Sequence, residues 1–163
     1  MGTCVEITRK WEFDLEGVGI PFLEALFEPE YWSPLIAKES DIFEILSRSK
    51  DRKEMRLELE QGGKKVFDSV LIKRQNNWLS EEVFAGTNFG LKFNYKIIDQ
   101  PKTSTQLLEV VCKFSISGWF TGWRANRKEV LYKKMMEIKV TKIKDSIKKG
   151  RFSQYLQNLQ VAV

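Results

Sequence analysis

Asn126–Lys149 reads NRKEVLYKKMMEIKVTKIKDSIKK, an uninterrupted helical pattern without Gly or Pro that stops at Gly150, a residue suited to the position just past a helix end. At about 100° per residue, Leu131, Met135 and Ile138 form one apolar stripe. Met136, Val140, Ile143 and Ile147 form a second, rotated by roughly 140°, so the apolar arc is broad. Lys139, Lys142 and Ser146 point between the stripes, while Lys133, Lys134, Glu137, Lys144, Asp145 and Lys148 take the solvated side. A helix with so wide an arc suits a concavity, and the preceding chain is expected to build one.

Upstream, Thr3–Leu15 alternates: Val5, Ile7, Trp11, Phe13 and Leu15 share one face, with Arg9 the lone charge on it. Gly17 and Gly19 break this strand, and Pro21 opens a short helix through Phe27. Pro29 ends it and starts a second, Glu30–Ala37, which Pro34 is expected to interrupt. Six strands follow, over Asp41–Ser47, Lys53–Glu60, Lys64–Arg74, Trp78–Phe84, a segment from Leu91 through Ile97, and a last one carrying Leu108, Val110, Cys112, Phe114 and Ile116. Gly62-Gly63, Asn76-Asn77, the Gly86–Gly90 run and the turn from Gln100 to Thr103 join them as hairpins. The inward face of Lys64–Arg74 stays ambiguous, because Val66, Val70 and Ile72 compete with Phe67 and Leu71.

Composition excludes several classes. A chain of 163 residues with 42% hydrophobic and 30% charged residues fits one domain, and no apolar run approaches the roughly 18 residues of a membrane span. Charges at Glu6, Arg9 and Lys10 precede any signal-peptide core, and Glu6 stands where a myristoylation start wants Ser or Thr, so a cytoplasmic location is expected. Histidine is absent, and strand parity places Cys4 and Cys112 on opposite faces. No metal site, cofactor or disulfide is therefore expected. Residues 126–149 carry nine basic and three acidic side chains, more positive charge than the whole chain's net +5. That face is expected to be solvated and to attract anionic surfaces only weakly at physiological salt, where charges beyond about 8 Å are screened.

The order strand, two short helices, six hairpin-linked strands and long C-terminal helix predicts an α+β chain, with a curved seven-stranded antiparallel sheet wrapped around the helix. It resembles the helix-grip fold of the START-like, or SRPBCC, superfamily. Glu28-Pro-Glu-Tyr-Trp32 and Gly118-Trp-Phe-Thr-Gly122 are similar to the turn between the small helices and the Gly-rich approach to the last helix in its polyketide cyclase-like branch. The resemblance spans residues 3–149, so residues 1–150 are expected to form the helix-grip domain. It implies a hydrophobic ligand cavity between sheet and helix. Residues 151–163 form an amphipathic tail, with Phe152, Tyr155, Leu156 and Leu159 at helical spacing, expected to dock on its own sheet or to give a homodimer contact.

Three functions follow from this. The first is a carrier or sequestering protein for a hydrophobic or amphiphilic small molecule: a lipid, isoprenoid, aromatic or polyketide-like compound. Trp11, Phe93, Tyr95, Phe114, Met135 and Ile138 would line its cavity, with Arg9 and Lys142 bordering it and favouring an anionic head group. The ordinary alternatives are a satisfied core tyrosine at Tyr95, a carboxylate partner for Arg9, and a Lys142 stem lying on apolar surface. The second is a cyclase- or hydrolase-type enzyme acting on such a molecule, which needs an acid or base held in the cavity, with Tyr95, Arg9 and Lys142 as the inward polar candidates; no nucleophile elbow, phosphate loop or triad histidine is present, and no catalytic residue is assigned. The third, nucleic-acid or anionic-membrane binding, rests on the basic helix alone and lacks a reader motif. No specific nucleic acid is expected.

Overall fold

The first strand, β1 (Thr3–Phe13), alternates as its sequence demands: Ile7 and Phe13 are buried, while Cys4, Glu6, Thr8, Lys10 and Glu12 are exposed. The structure, a computed structural model, describes residues 2–13, 19–61, 63–100, 102–103 and 105–161; Leu15, Gly17 and Gly62 lie outside them. Helices α1 (Gly19–Leu26) and α2 (Pro29–Ile36) follow, with Pro29 at the start of α2. Pro34 does not interrupt α2. Both Pro34 and Glu30, whose carbonyl it cannot serve, are exposed, so solvent can take up the freed acceptor.

Six further strands complete one open, curved sheet: β2 (Ile42–Arg48), β3 (Arg52–Gln61), β4 (Lys64–Gln75), β5 (Trp78–Gly86), β6 (Lys92–Gln100) and β7 (Thr105–Ile116). Every neighbouring pair is antiparallel, in the order β1-β7-β6-β5-β4-β3-β2. The two short helices carry the chain from one edge, β1, to the other, β2. Alternation brings the connections 37–41, 87–91 and 117–120 and the β3–β4 turn to one end of the sheet.

The ambiguity in β4 resolves towards Val66, Asp68, Val70 and Ile72, all buried, whereas Phe67 is exposed. The long helix α3 (Thr121–Lys148) starts five residues before the predicted Asn126. Gly122 is exposed in its first turn, where a glycine is least disruptive. Its buried line runs through Tyr132, Met136, Val140 and Ile143; Leu131, Met135 and Ile147 are half-buried, and Ile138 is largely exposed. α4 (Arg151–Val161) turns back at Gly150, which has φ 76°. This is the expected α+β helix-grip architecture.

Candidate functional site

The inward residues of β3, β4, β5 and β6 do not meet α3 directly along its whole length. Between them lies a cavity of about 510 Å³, within the range of small-molecule sites. Met55 and Leu57 of β3, Val70 of β4, Val83 of β5 and Phe93 of β6 form the sheet wall. Trp32 and Ile36 of α2 close one side, and Leu131, Met135 and Met136 of α3 form the roof. The exposed side chains of Lys38, Glu60, Lys134 and Ile138 line its mouth, together with Asp41 and Gln61, at the end of the sheet where the connections gather.

The helix leans on the β1–β7 side, and this fixes where the space is left. Tyr132 fills the gap over β6 and β7, its ring edge-on to Phe114 at 5.0 Å and to Phe93 at 6.3 Å. Of the eight residues expected at the site, Phe93, Tyr95, Met135 and Ile138 line the cavity. Phe114 is packed under Tyr132 and lies outside the lining, as does Trp11 on the edge strand. Arg9 is also outside, because its guanidinium finds Glu137 on the outer side of α3 at 3.1 Å and stays about half exposed over Trp11. Lys142 is exposed and donates from Nζ to the Leu35 carbonyl at 3.2 Å. The expected pair of cations bordering the cavity is therefore not there.

Other polar groups occupy the lining instead. Lys139 donates from Nζ to both carboxylate oxygens of Glu81, at 2.7 and 2.9 Å, and lies 3.9 Å above the Trp32 ring. Towards the β5–β6 turn, Asp68 accepts from the backbone N–H and Nδ2 of Asn88, both at 2.8 Å. Asn88 Nδ2 also donates to Gln61 Oε1 at 3.3 Å, and the Tyr132 hydroxyl donates to Asn88 Oδ1 at 3.2 Å. Burial pushes the Tyr132 hydroxyl up to about 12, with Cys112 and Asp68 adding to the effect. Tyr95 is raised well above its ordinary 10.0, first by burial and then by Glu81 and Cys112, so it stands in the cavity wall as a neutral hydroxyl.

Glu81 and Asp68 were not expected at the site. Their strand parity carried the signal: Glu81 is flanked at two-residue spacing by Leu79 and Val83, and Asp68 by Val66 and Val70, all buried. Lys53 is a further buried charge, outside the cavity lining. It sits on the inner face of β3, reaching the Phe27 carbonyl at 2.6 Å and Glu28 at 3.1 Å. Burial lowers its pKa, against the pull of Glu28.

No family model matches the chain, and no curated protein sequence matches it either. Solved structures do. TTHA0849 from Thermus thermophilus superposes with a TM-score of 0.73 at 13% identity, over 90% of this chain and 99% of that one. The Zhui aromatase/cyclase from a Streptomyces species gives 0.72 at 7% identity, over 90% and 95%. A START superfamily protein from Mycobacterium smegmatis gives 0.61 at 16% identity, over 88% and 97%. The chain thus has the helix-grip fold of these structures, among them a START superfamily protein and a polyketide aromatase/cyclase.

Proposed function

We propose that this protein binds a hydrophobic or amphiphilic small molecule of lipid, isoprenoid, aromatic or polyketide-like character in the cavity between sheet and α3, as a carrier or sequestering protein. The observation that supports this reading is the apolar cavity of about 510 Å³ with an opening at one end of the sheet. Its interior acids are already matched, Glu81 by Lys139 and Asp68 by Asn88. The Tyr95 hydroxyl makes no hydrogen bond among the described residues, and we assign it the anchoring of a ligand's polar group. Two lysines and two acids share the mouth, which gives no preference for an anionic head. The unpaired Cys4 and Cys112 are in keeping with a cytoplasmic setting.

Titration of a fluorescent apolar probe, competed by fatty acids and fatty alcohols of equal length, tests this. Leu57→Trp, which places an indole in the cavity, should weaken probe binding by about tenfold or more while the fold is retained. Arg9→Met and Lys142→Met should bind as wild type. Failure of the wild type to bind any apolar probe, or unchanged affinity in Leu57→Trp, would overturn the reading.

A cyclase-type enzyme is the second reading, and the neutral Tyr95 hydroxyl inside the cavity is what favours it. Recovery of bound polyketide-like ligands chemically unchanged after prolonged incubation would reject it.

A further inference from the structure

The largest exposed aromatic side chains gather at one end of the molecule. Trp119 is 86% exposed, Phe120 79%, Phe89 74% and Trp123 62%. Trp119 and Phe120 sit in the connection from β7 to α3, Trp123 in the first turn of α3, and Phe89 in the β5–β6 turn. Lys92 pairs with Lys113 across β6 and β7, so both connections leave the sheet at the same end. Asn88 then ties the β5–β6 turn to α3 through Tyr132. Phe120 holds φ 59°, a left-handed conformation uncommon for a bulky residue, yet its ring is turned to solvent rather than packed. An exposed apolar group of this size is a common mark of an interaction surface.

Charge decides what the surface meets. From Val110 to Lys128 the chain has no Asp or Glu, while Lys113, Arg124, Arg127 and Lys128 all fall in that stretch. Arg127 stacks over the Trp123 ring at 4.8 Å, and Glu129, the next acid, is held by Lys133 at 2.9 Å. Among the described residues Arg124, Arg127 and Lys128 have no carboxylate partner. Lys113 faces Glu6 on β1 at 3.8 Å, which leaves Arg124, Arg127 and Lys128 as the cations beside the exposed tryptophans and phenylalanines, the composition of a bilayer interface anchor.

We propose that this end of the protein docks on an anionic lipid bilayer, with Trp119, Phe120, Trp123 and Phe89 entering the interface and Arg124, Arg127 and Lys128 meeting lipid phosphates. Apolar insertion supplies what the basic face of α3 alone does not. No helix of the described chain is long and apolar enough to cross a membrane, so the contact is peripheral. The cavity mouth opens at the same end of the sheet, with Lys134 on the same helix. Exchange of cavity contents with the bilayer rests on the ligand-binding reading; the docking itself does not.

Flotation of the full chain with phosphatidylcholine vesicles, with and without phosphatidylserine, tests this, together with the shift in tryptophan emission. Wild type should float with the phosphatidylserine vesicles and its emission should move to the blue. The exposed triple variant Trp119→Ala, Phe120→Ala, Trp123→Ala should lose about a hundredfold in partitioning. Arg124→Gln with Arg127→Gln should lose the preference for phosphatidylserine. Leu57→Trp, with its cavity filled, should bind vesicles as wild type does, which separates docking from ligand binding. Absence of wild-type flotation, equal flotation of the aromatic triple variant, or a concentration-dependent dimer abolished by that variant in place of vesicle binding would each overturn the proposal.

Discussion

Lys139 and Glu81 join the middle of α3 to the centre of β5, with Lys139 Nζ within 2.9 Å of both carboxylate oxygens and the two side chains only 13% and 9% exposed. The pair closes off part of the cavity wall that would otherwise hold two uncompensated charges. Removing one partner leaves the other desolvated and alone, which is more costly than removing both. Lys139→Met should therefore lose about 3 kcal/mol in urea unfolding, and Lys139→Met combined with Glu81→Gln should regain most of it. Additive losses in the double variant would mean that the two residues do not act as a pair.

Stability should fall at alkaline pH, and the direction follows from three groups. Burial raises Cys112 from 9.0 to about 12 and Tyr132 from 10.0 to about 12, and Tyr95 well above 10.0. Each stays protonated in the folded chain after the unfolded chain has lost its proton. The contribution of Cys112 is lost as pH rises from 9.0 to about 12 and that of Tyr132 from 10.0 to about 12, while that of Tyr95 begins to be lost above 10.0, at about 1.4 kcal/mol per pH unit for each group in its window. Lys53 acts in the opposite sense, because its lowered pKa lets the folded chain shed a proton first, and stability rises towards 10.5 from that source. Tyr95→Phe should reduce the alkaline slope by about one such contribution. Urea unfolding across this pH series checks it; identical slopes in the two proteins would show that Tyr95 does not hold its proton.

Gly86 ends β5 with φ 119°, where an added Cβ would stand 2.0 Å from the Phe67 carbonyl oxygen and 2.8 Å from Asp68 Cα. Both obstacles include backbone, which cannot swing away. Gly63 also has a positive φ, 79°, but a Cβ there meets nothing within 4 Å. Gly86→Ala should thus cost about 2 kcal/mol or more and weaken the Asp68–Asn88 hydrogen bonds, whereas Gly63→Ala should cost about 1 kcal/mol. Equal unfolding midpoints for the two variants would remove the steric account.

The fold was legible in the sequence because its periods are clean. β1, β6 and β7 alternate strictly enough to name their buried faces, and the α3 pattern runs without a breaker. The site was less so. Arg9 stands out as the one charge on the apolar face of β1, but its long side chain reaches Glu137 across the edge of the sheet and stays half exposed. The inward acids Asp68 and Glu81 are hard to read from sequence because β4 has apolar residues on both faces and β5 places Ser80, Glu81 and Glu82 in succession. Nor does strand order say on which side a helix will lean. Tyr132 settles that by filling the β6–β7 side, and a tyrosine within a lysine-rich helix does not announce it.

The tail docks not on the sheet, as expected, but on α2 and the end of α3, and one residue does most of the docking. Phe152 is buried against Tyr31 of α2, ring centroids 4.9 Å apart, with Tyr155 at 5.2 Å from the same ring. The Tyr31 hydroxyl in turn hydrogen-bonds Ser146, which is buried on α3. α4 thus clamps α2 to the end of α3, and its removal would uncover Tyr31 on both counts. Leu156, Leu159 and Val161 remain exposed on the rest of α4. Phe152→Ala should cost about 3 kcal/mol in urea unfolding, as expected for deletion of a buried ring. Leu159→Ala should stay within about 0.5 kcal/mol, because Leu159 is an exposed residue outside the buried core. Size-exclusion measurements on the two variants separate this from a homodimer contact: if Leu159→Ala dissociates an oligomer while Phe152→Ala leaves stability unchanged, α4 serves a partner subunit rather than its own chain.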